Sequence, residues 1–159
     1  MADVPPLETR LSAVLASGRV EMGLVASDVD DAAEKLLLPL LKAQGLSDLE
    51  AAAGIEAVKY RERTGSTSLG NVALPHARLI SVNRIIGALG VNRSGVFRNG
   101  CGDAVQLVLA FVSPTQSAVA HLKFLGSVAQ VLRQEGIIGQ ISEAASPDAV
   151  LSAIRSRER

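Results

Sequence analysis

"VQLVLAFVSP" spans Val105–Pro114. It is almost wholly apolar, rich in β-branched residues, and ended by a proline. A run of this length and character predicts a central β-strand covered on both faces. It is far short of the roughly 20 residues that cross a bilayer. Working outward, "RIIGALGV" (Arg84–Val91) predicts a second long strand and "NVALP" (Asn71–Pro75) a short one. Between the long strands, "NRSGVFRNGCGDA" is rich in glycine and reads as an irregular hairpin.

Helices flank these strands. Downstream, Ser117–Gln134 predicts a long helix whose buried stripe is Ala118, Leu122, Leu125, Ala129 and Leu132, with His121 at its border. A last helix begins at Ser146, an N-cap followed by Pro147 in the first helical position. Upstream, Asp31–Gln44 predicts a helix with Asp28 or Asp30 as cap and Gly45 as stop. Pro39 inside it predicts a kink or an early break. Ser47 and Glu50 form a capping-box pattern for the next helix, with Leu49, Ala52, Ala53, Ile55, Ala57 and Val58 as its apolar face. That helix ends at Gly65, with Arg61 and Arg63 in its last turn, where cations suit the helix dipole. A short helix or strand is expected near Leu11–Leu15, with a turn at Gly18. The fold class is α/β: a mixed β-sheet sandwiched between helices. The division expected is an N-terminal arm over residues 1–20 and a single domain over 21–159.

Composition excludes several classes. Formal net charge is zero, without the basic excess of a nucleic-acid binder, and aromatics are only 3%, too few for base-stacking surfaces. The single cysteine, Cys101, cannot form an internal disulfide, and "MADVPPLETR" lacks a signal pattern, so a cytoplasmic protein without membrane insertion is expected. Gly65 and Gly70 have the spacing of half a phosphate-binding loop, but Asn71 and Val72 stand where lysine and a magnesium-binding hydroxyl belong. No G-x-S-x-G elbow occurs, and the two histidines, one cysteine and scattered carboxylates have no short metal spacing. No metal or cofactor is expected.

The chemistry concentrates in "GSTSLGNVALPHARL", Gly65–Leu79. Leu74 precedes a proline and is pushed to extended geometry. Pro75 stiffens the backbone before His76, which restrains the ring's direction. Arg78 is two residues on, so on an extended chain it projects to the same face. A histidine near guanidinium groups stays neutral and nucleophilic, and the same groups stabilise anionic oxygens brought to it.

"RERTGSTSLGNVALPHARL", "VQLVLAFVSP" and "HLKFLGSVAQVLR" together resemble the enzyme IIA domain of the fructose/mannitol/nitrogen-regulatory class, part of the bacterial phosphoenolpyruvate-dependent phosphotransferase system. The resemblance runs from about Leu24 to the C-terminus. It implies a phosphohistidine relay in which His76 accepts a phosphoryl group from the histidine-containing phosphocarrier protein. His121 matches the second active-site histidine, and Arg61 a phosphate-stabilising arginine. Ser66 and Thr67 match small hydroxyl residues of the neighbouring loop, and Arg78 is a further candidate for phosphate stabilisation. A shallow, exposed site would suit docking, with Leu69, Val72, Leu74 and Leu79 as an apolar rim unless they are core. The sequence departs from the family pattern by lacking one residue, most often glycine, between Asn71 and Val72, which implies a tighter loop. The expected protein is a free-standing, nitrogen-regulatory enzyme IIA whose partners are the phosphocarrier protein and a regulatory target. The alternatives are a sugar-specific subunit that serves a membrane transporter's IIB component, or a binding module without transfer. A weak homodimer stays open.

Overall fold

The computed structural model describes residues 6–159. Elements are numbered in chain order. Strand β8 (Leu107–Pro114) is buried along its whole length and forms the spine of a six-stranded mixed sheet. Antiparallel β5 (Ile86–Val91) lies along one side, and β1 (Arg19–Met22) runs parallel to β5 beyond it. Two short segments lie in line along the other side of β8, both parallel to it: β3 (Val72–Ala73) and β4 (His76–Leu79). Leu74-Pro75 interrupts them, because proline offers no N–H to the ladder; the Pro75 carbonyl still accepts from the Phe111 N–H. Strand β2 (Ser68–Leu69) pairs antiparallel with β3. The glycine-rich stretch forms a separate hairpin of β6 (Phe97–Arg98) and β7 (Ala104–Val105).

Alternation along β8 divides the core. Val108, Ala110 and Val112 face a layer made by α2 (Val29–Ala43) and α3 (Asp48–Thr64). Leu107, Leu109 and Phe111 face α1 (Leu11–Ser17), α4 (Ala118–Leu132), α5 (Ile137–Ser142) and α6 (Pro147–Arg155). The expected sandwich of helices on both sheet faces is therefore present. Asp28 caps α2, the Ser47–Glu50 capping box opens α3, and Ser146 caps α6 with Pro147 as its first residue.

Three local expectations need correction. α2 runs unbroken through Pro39 to Ala43. Pro39 and Lys35 are both exposed, so the carbonyl that loses its donor lies on the solvent side, while buried Leu36, Leu37, Leu40 and Leu41 hold the helix on the sheet. α3 buries Ala51, Gly54, Ile55 and Val58, and Leu49 is 80% exposed. Gly54 explains that phase: a Cβ there would sit 3.0 Å from Leu79 Cδ1, so glycine lets α3 approach β4. α4 buries Ala120, Phe124, Val128, Val131 and Leu132, while Leu122 is 66% exposed. Nearly every face of α4 is apolar; Phe124, packed edge-on against Phe111 at 4.8 Å, sets which one turns inward.

Of the expected arm, residues 1–5 lie outside the described residues. Leu11, Val14 and Leu15 of α1 are buried in the core. Gly18 ends α1 against β5, where a Cβ would meet the Gly87 carbonyl oxygen at 1.9 Å. The backbone N–H and hydroxyl of Ser12 both donate to the Glu158 carboxylate, tying α1 to the segment that follows α6.

Candidate active site

His76 opens β4, directly after the Leu74-Pro75 interruption. Its Nδ1 lies 2.7 Å from the Leu74 carbonyl oxygen. A carbonyl only accepts, so the hydrogen-bond network assigns the proton to Nδ1 and leaves the lone pair of the neutral ring on Nε2. Strand register sets His76 opposite Phe111, and the two rings stack with centroids 4.7 Å apart and planes within 1°. Phe124 in turn packs edge-on against Phe111. Two of the three phenylalanines in the chain thus back one imidazole.

The second histidine arrives from the first turn of α4. The His121 ring centroid is 5.6 Å from that of His76, and Ser113 Oγ lies 2.6 Å from His121 Nδ1. Arg61, in the last turn of α3, donates to the Gly65 carbonyl, and Arg78 donates to the Thr115 carbonyl at 2.9 Å. These four side chains, with Ala57 and Tyr60, line a cleft of about 370 Å³. Among the described residues no carboxylate lines it.

The imidazole is less open than the sequence suggested: His76 is only 6% exposed. Its Nε2 has no hydrogen-bond partner among the described residues, and no buried polar side-chain atom there lacks one, so Nε2 is reached through the cleft. Of the rim candidates, Val72, Leu74 and Leu79 are core, the alternative the sequence also offered, and Tyr60 is a large apolar side chain exposed in the cleft lining.

Burial is the main cause that lowers the pKa of His76; the Leu74 carbonyl opposes it, the Arg61 charge reinforces it and the Glu62 charge opposes it. His121 is lowered chiefly by burial, then by His76, Arg78 and Arg61. Both rings are therefore biased toward the neutral form. The arrangement offers an imidazole lone pair, a second imidazole and two guanidinium groups to one incoming anionic group.

Ser66 and Thr67 lie elsewhere. Both line a neighbouring cavity of about 320 Å³, and Ser66 Oγ donates to Glu62 Oε1 at 2.6 Å. The Gly70-Asn71 loop closes as a two-residue hairpin between β2 and β3, with Gly70 at φ +61, where a II′-type turn demands glycine. The Leu74 N–H donates to the Thr67 carbonyl, which ties this hairpin to the residues entering β4. Phe111, Tyr60 and Ser113 were not singled out from the sequence. Phe111 stood in the central strand as core, and nothing local pairs it with a histidine 35 positions earlier.

Residues 13–157 match the family model described as "Phosphoenolpyruvate-dependent sugar phosphotransferase system, EIIA 2". The chain belongs to this family. This EIIA-type phosphocarrier domain is 29% identical over 141 residues to a nitrogen regulatory protein from Bradyrhizobium diazoefficiens, covering 79% of this chain and 92% of that one. It is 26% identical over 152 residues to the fructose-specific EIIABC component from Bacillus subtilis, covering 94% of this chain but only 24% of that longer protein. The crystal structure of nitrogen regulatory protein IIA-Ntr from Neisseria meningitidis superposes with TM-score 0.72 at 27% identity, covering 87% of this chain and 93% of that one. Among the described residues no helix of this EIIA domain is long and apolar enough to cross a membrane.

Proposed function

We propose that His76 accepts a phosphoryl group, through Nε2, from the phosphohistidine of the histidine-containing phosphocarrier protein. The observation that carries the reading is the pinned imidazole: Nδ1 held by the Leu74 carbonyl, one ring face held by Phe111, and Nε2 reached through a cleft with guanidinium walls. Nε2 attacks phosphorus in line. The Nε2–P bond forms as the donor's N–P bond breaks, and the electron pair returns to the donor ring. That ring, protonated at its other nitrogen, leaves neutral. Positive charge moves onto His76, where the Leu74 carbonyl accepts from Nδ1–H and stabilises it. Exchange between two imidazoles is nearly balanced, so catalysis is positioning plus charge stabilisation. Arg61, Arg78 and His121 supply the latter, toward the three equatorial oxygens.

The physiological role we infer is nitrogen-regulatory: phosphorylation of His76 would change binding to a regulatory target. Relatives of that description at 29% and 27% identity support it. A sugar-specific role, passing phosphate to a IIB component, is supported by the fructose-specific relative. Exposed, unpaired Cys101 suits the cytoplasm assumed by either role. Incubation with phosphoenolpyruvate, enzyme I and the phosphocarrier protein tests the shared step: a gain of one phosphate in the intact mass, absent in His76→Ala. Adding fructose-type and mannitol-type IIB domains to the phosphorylated protein then separates the roles, since only a sugar-specific subunit discharges rapidly to them.

A further inference from the structure

We propose that Ser113 is a positioning residue that fixes His121 as a hydrogen-bond donor into the cleft, so that the two histidines are held in opposite tautomers. The inference rests on the reading of His76 as phosphoryl acceptor.

Ser113 is a polar residue in the most deeply buried strand of the molecule, paired with Arg78 across the β4–β8 ladder. It is fully buried, and a buried hydroxyl needs a partner. Its Oγ has one among the described residues: His121 Nδ1, at 2.6 Å. Two arrangements satisfy that distance. If His121 carried its proton on Nδ1, it would donate to Ser113, and the serine hydrogen would sit in the dry core with no acceptor. If Ser113 donates to Nδ1, every group is satisfied and the histidine proton lies on Nε2. The second arrangement is the one the packing selects.

Nε2 of His121 has no partner among the described residues and is not a buried orphan, so its N–H is available at the cleft that His121 lines. The contrast with His76 is a contrast of neighbours. The Nδ1 of His76 meets a carbonyl, which can only accept, so Nε2 keeps a lone pair and attacks. The Nδ1 of His121 meets a hydroxyl that has to donate, so Nε2 keeps a proton and binds oxygen. A lone pair on His121 Nε2 would instead repel the phosphoryl oxygens.

Long-range proton–nitrogen spectra of protein with labelled histidines, at mildly alkaline pH and without any phosphoryl donor, test this directly. The expected wild-type result is Nδ1–H for His76 and Nε2–H for His121. Ser113→Ala should turn His121 into a tautomer mixture, leave His76 unchanged, and slow single-turnover phosphoryl gain about tenfold. Ser113→Thr, which returns the hydroxyl, should restore both. An Nδ1–H tautomer for wild-type His121, or a Ser113→Ala protein with unchanged spectrum and rate, would overturn the proposal. Because the spectra need no transfer, a protein that shows the expected tautomers yet takes no phosphate would uphold the assignment to Ser113 and sink the relay reading instead.

Discussion

Two cavities of similar size flank the junction between α3 and the hairpin that follows it, and they differ in charge. The His76 cleft holds two imidazoles and two guanidinium groups, with no carboxylate among the described residues. Its neighbour holds Asp28 and Glu62, the hydroxyls of Ser66, Thr67 and Ser68, and Arg98. Arg61 and Glu62 are adjacent in sequence, yet Arg61 lines the first and Glu62 the second. One residue of helical phase, about 100°, sorts the cation toward the histidines and the carboxylate away from them. An anion entering the first cleft meets two guanidinium groups in its walls, with the Glu62 charge reaching His76 only from outside the lining, whereas the walls of the second carry mixed charges. Charge rather than volume separates the two cavities.

The comparison can be broken most severely by reversing that sorting. Arg61→Glu puts a carboxylate beside His76, and phosphoryl gain measured by rapid-quench mass spectrometry should fall at least about a hundredfold. Arg61→Lys, which keeps charge without the planar fork, should lose less. A smaller loss is expected from Phe111→Leu, which removes the stacked ring at nearly constant hydrophobicity. It should cost about 1–2 kcal/mol in urea unfolding and slow transfer by freeing the imidazole.

Acid tests the same neutral cluster. His76 and His121 both titrate below the ordinary value of 6.5 in the folded protein. Above that value neither state is protonated and their contribution to stability is complete. As pH falls below it, the unfolded chain takes up protons that the folded protein resists, so stability drops until the folded values are passed. Urea midpoints across this range should decline on the acid side, and His76→Gln combined with His121→Gln should flatten the decline. The smallest effect belongs to the second cavity: Ser66→Ala and Thr67→Ala should leave the rate of phosphoryl gain within about twofold, because those side chains do not line the cleft. A large loss there would erase the distinction between the two cavities.

Much of this was legible in the sequence because it is local. The capping box of α3, the proline start of α6, the fully apolar central strand and the Pro75-His76 step all depend on neighbours a few positions apart. The phases of α3 and α4 were not legible, since alanine and leucine on several faces leave the choice to a partner such as Phe111 or to Gly54 meeting Leu79. The same reason hid Phe111 and Ser113 as parts of the site. Each stands beside its histidine only once β8 is in register with β4 and α4 has folded back over β8. The parallel pairing of β1 with β5 is likewise long-range and left no mark near Arg19–Met22.

The central claim is that His76 is the phosphoryl acceptor. Its most direct test is the intact mass of the protein after incubation with phosphoenolpyruvate, enzyme I and the phosphocarrier protein. A gain of one phosphate, mapped to His76 and lost in His76→Ala, is the predicted result. No gain, while the upstream proteins phosphorylate a known enzyme IIA in the same tube, would contradict it.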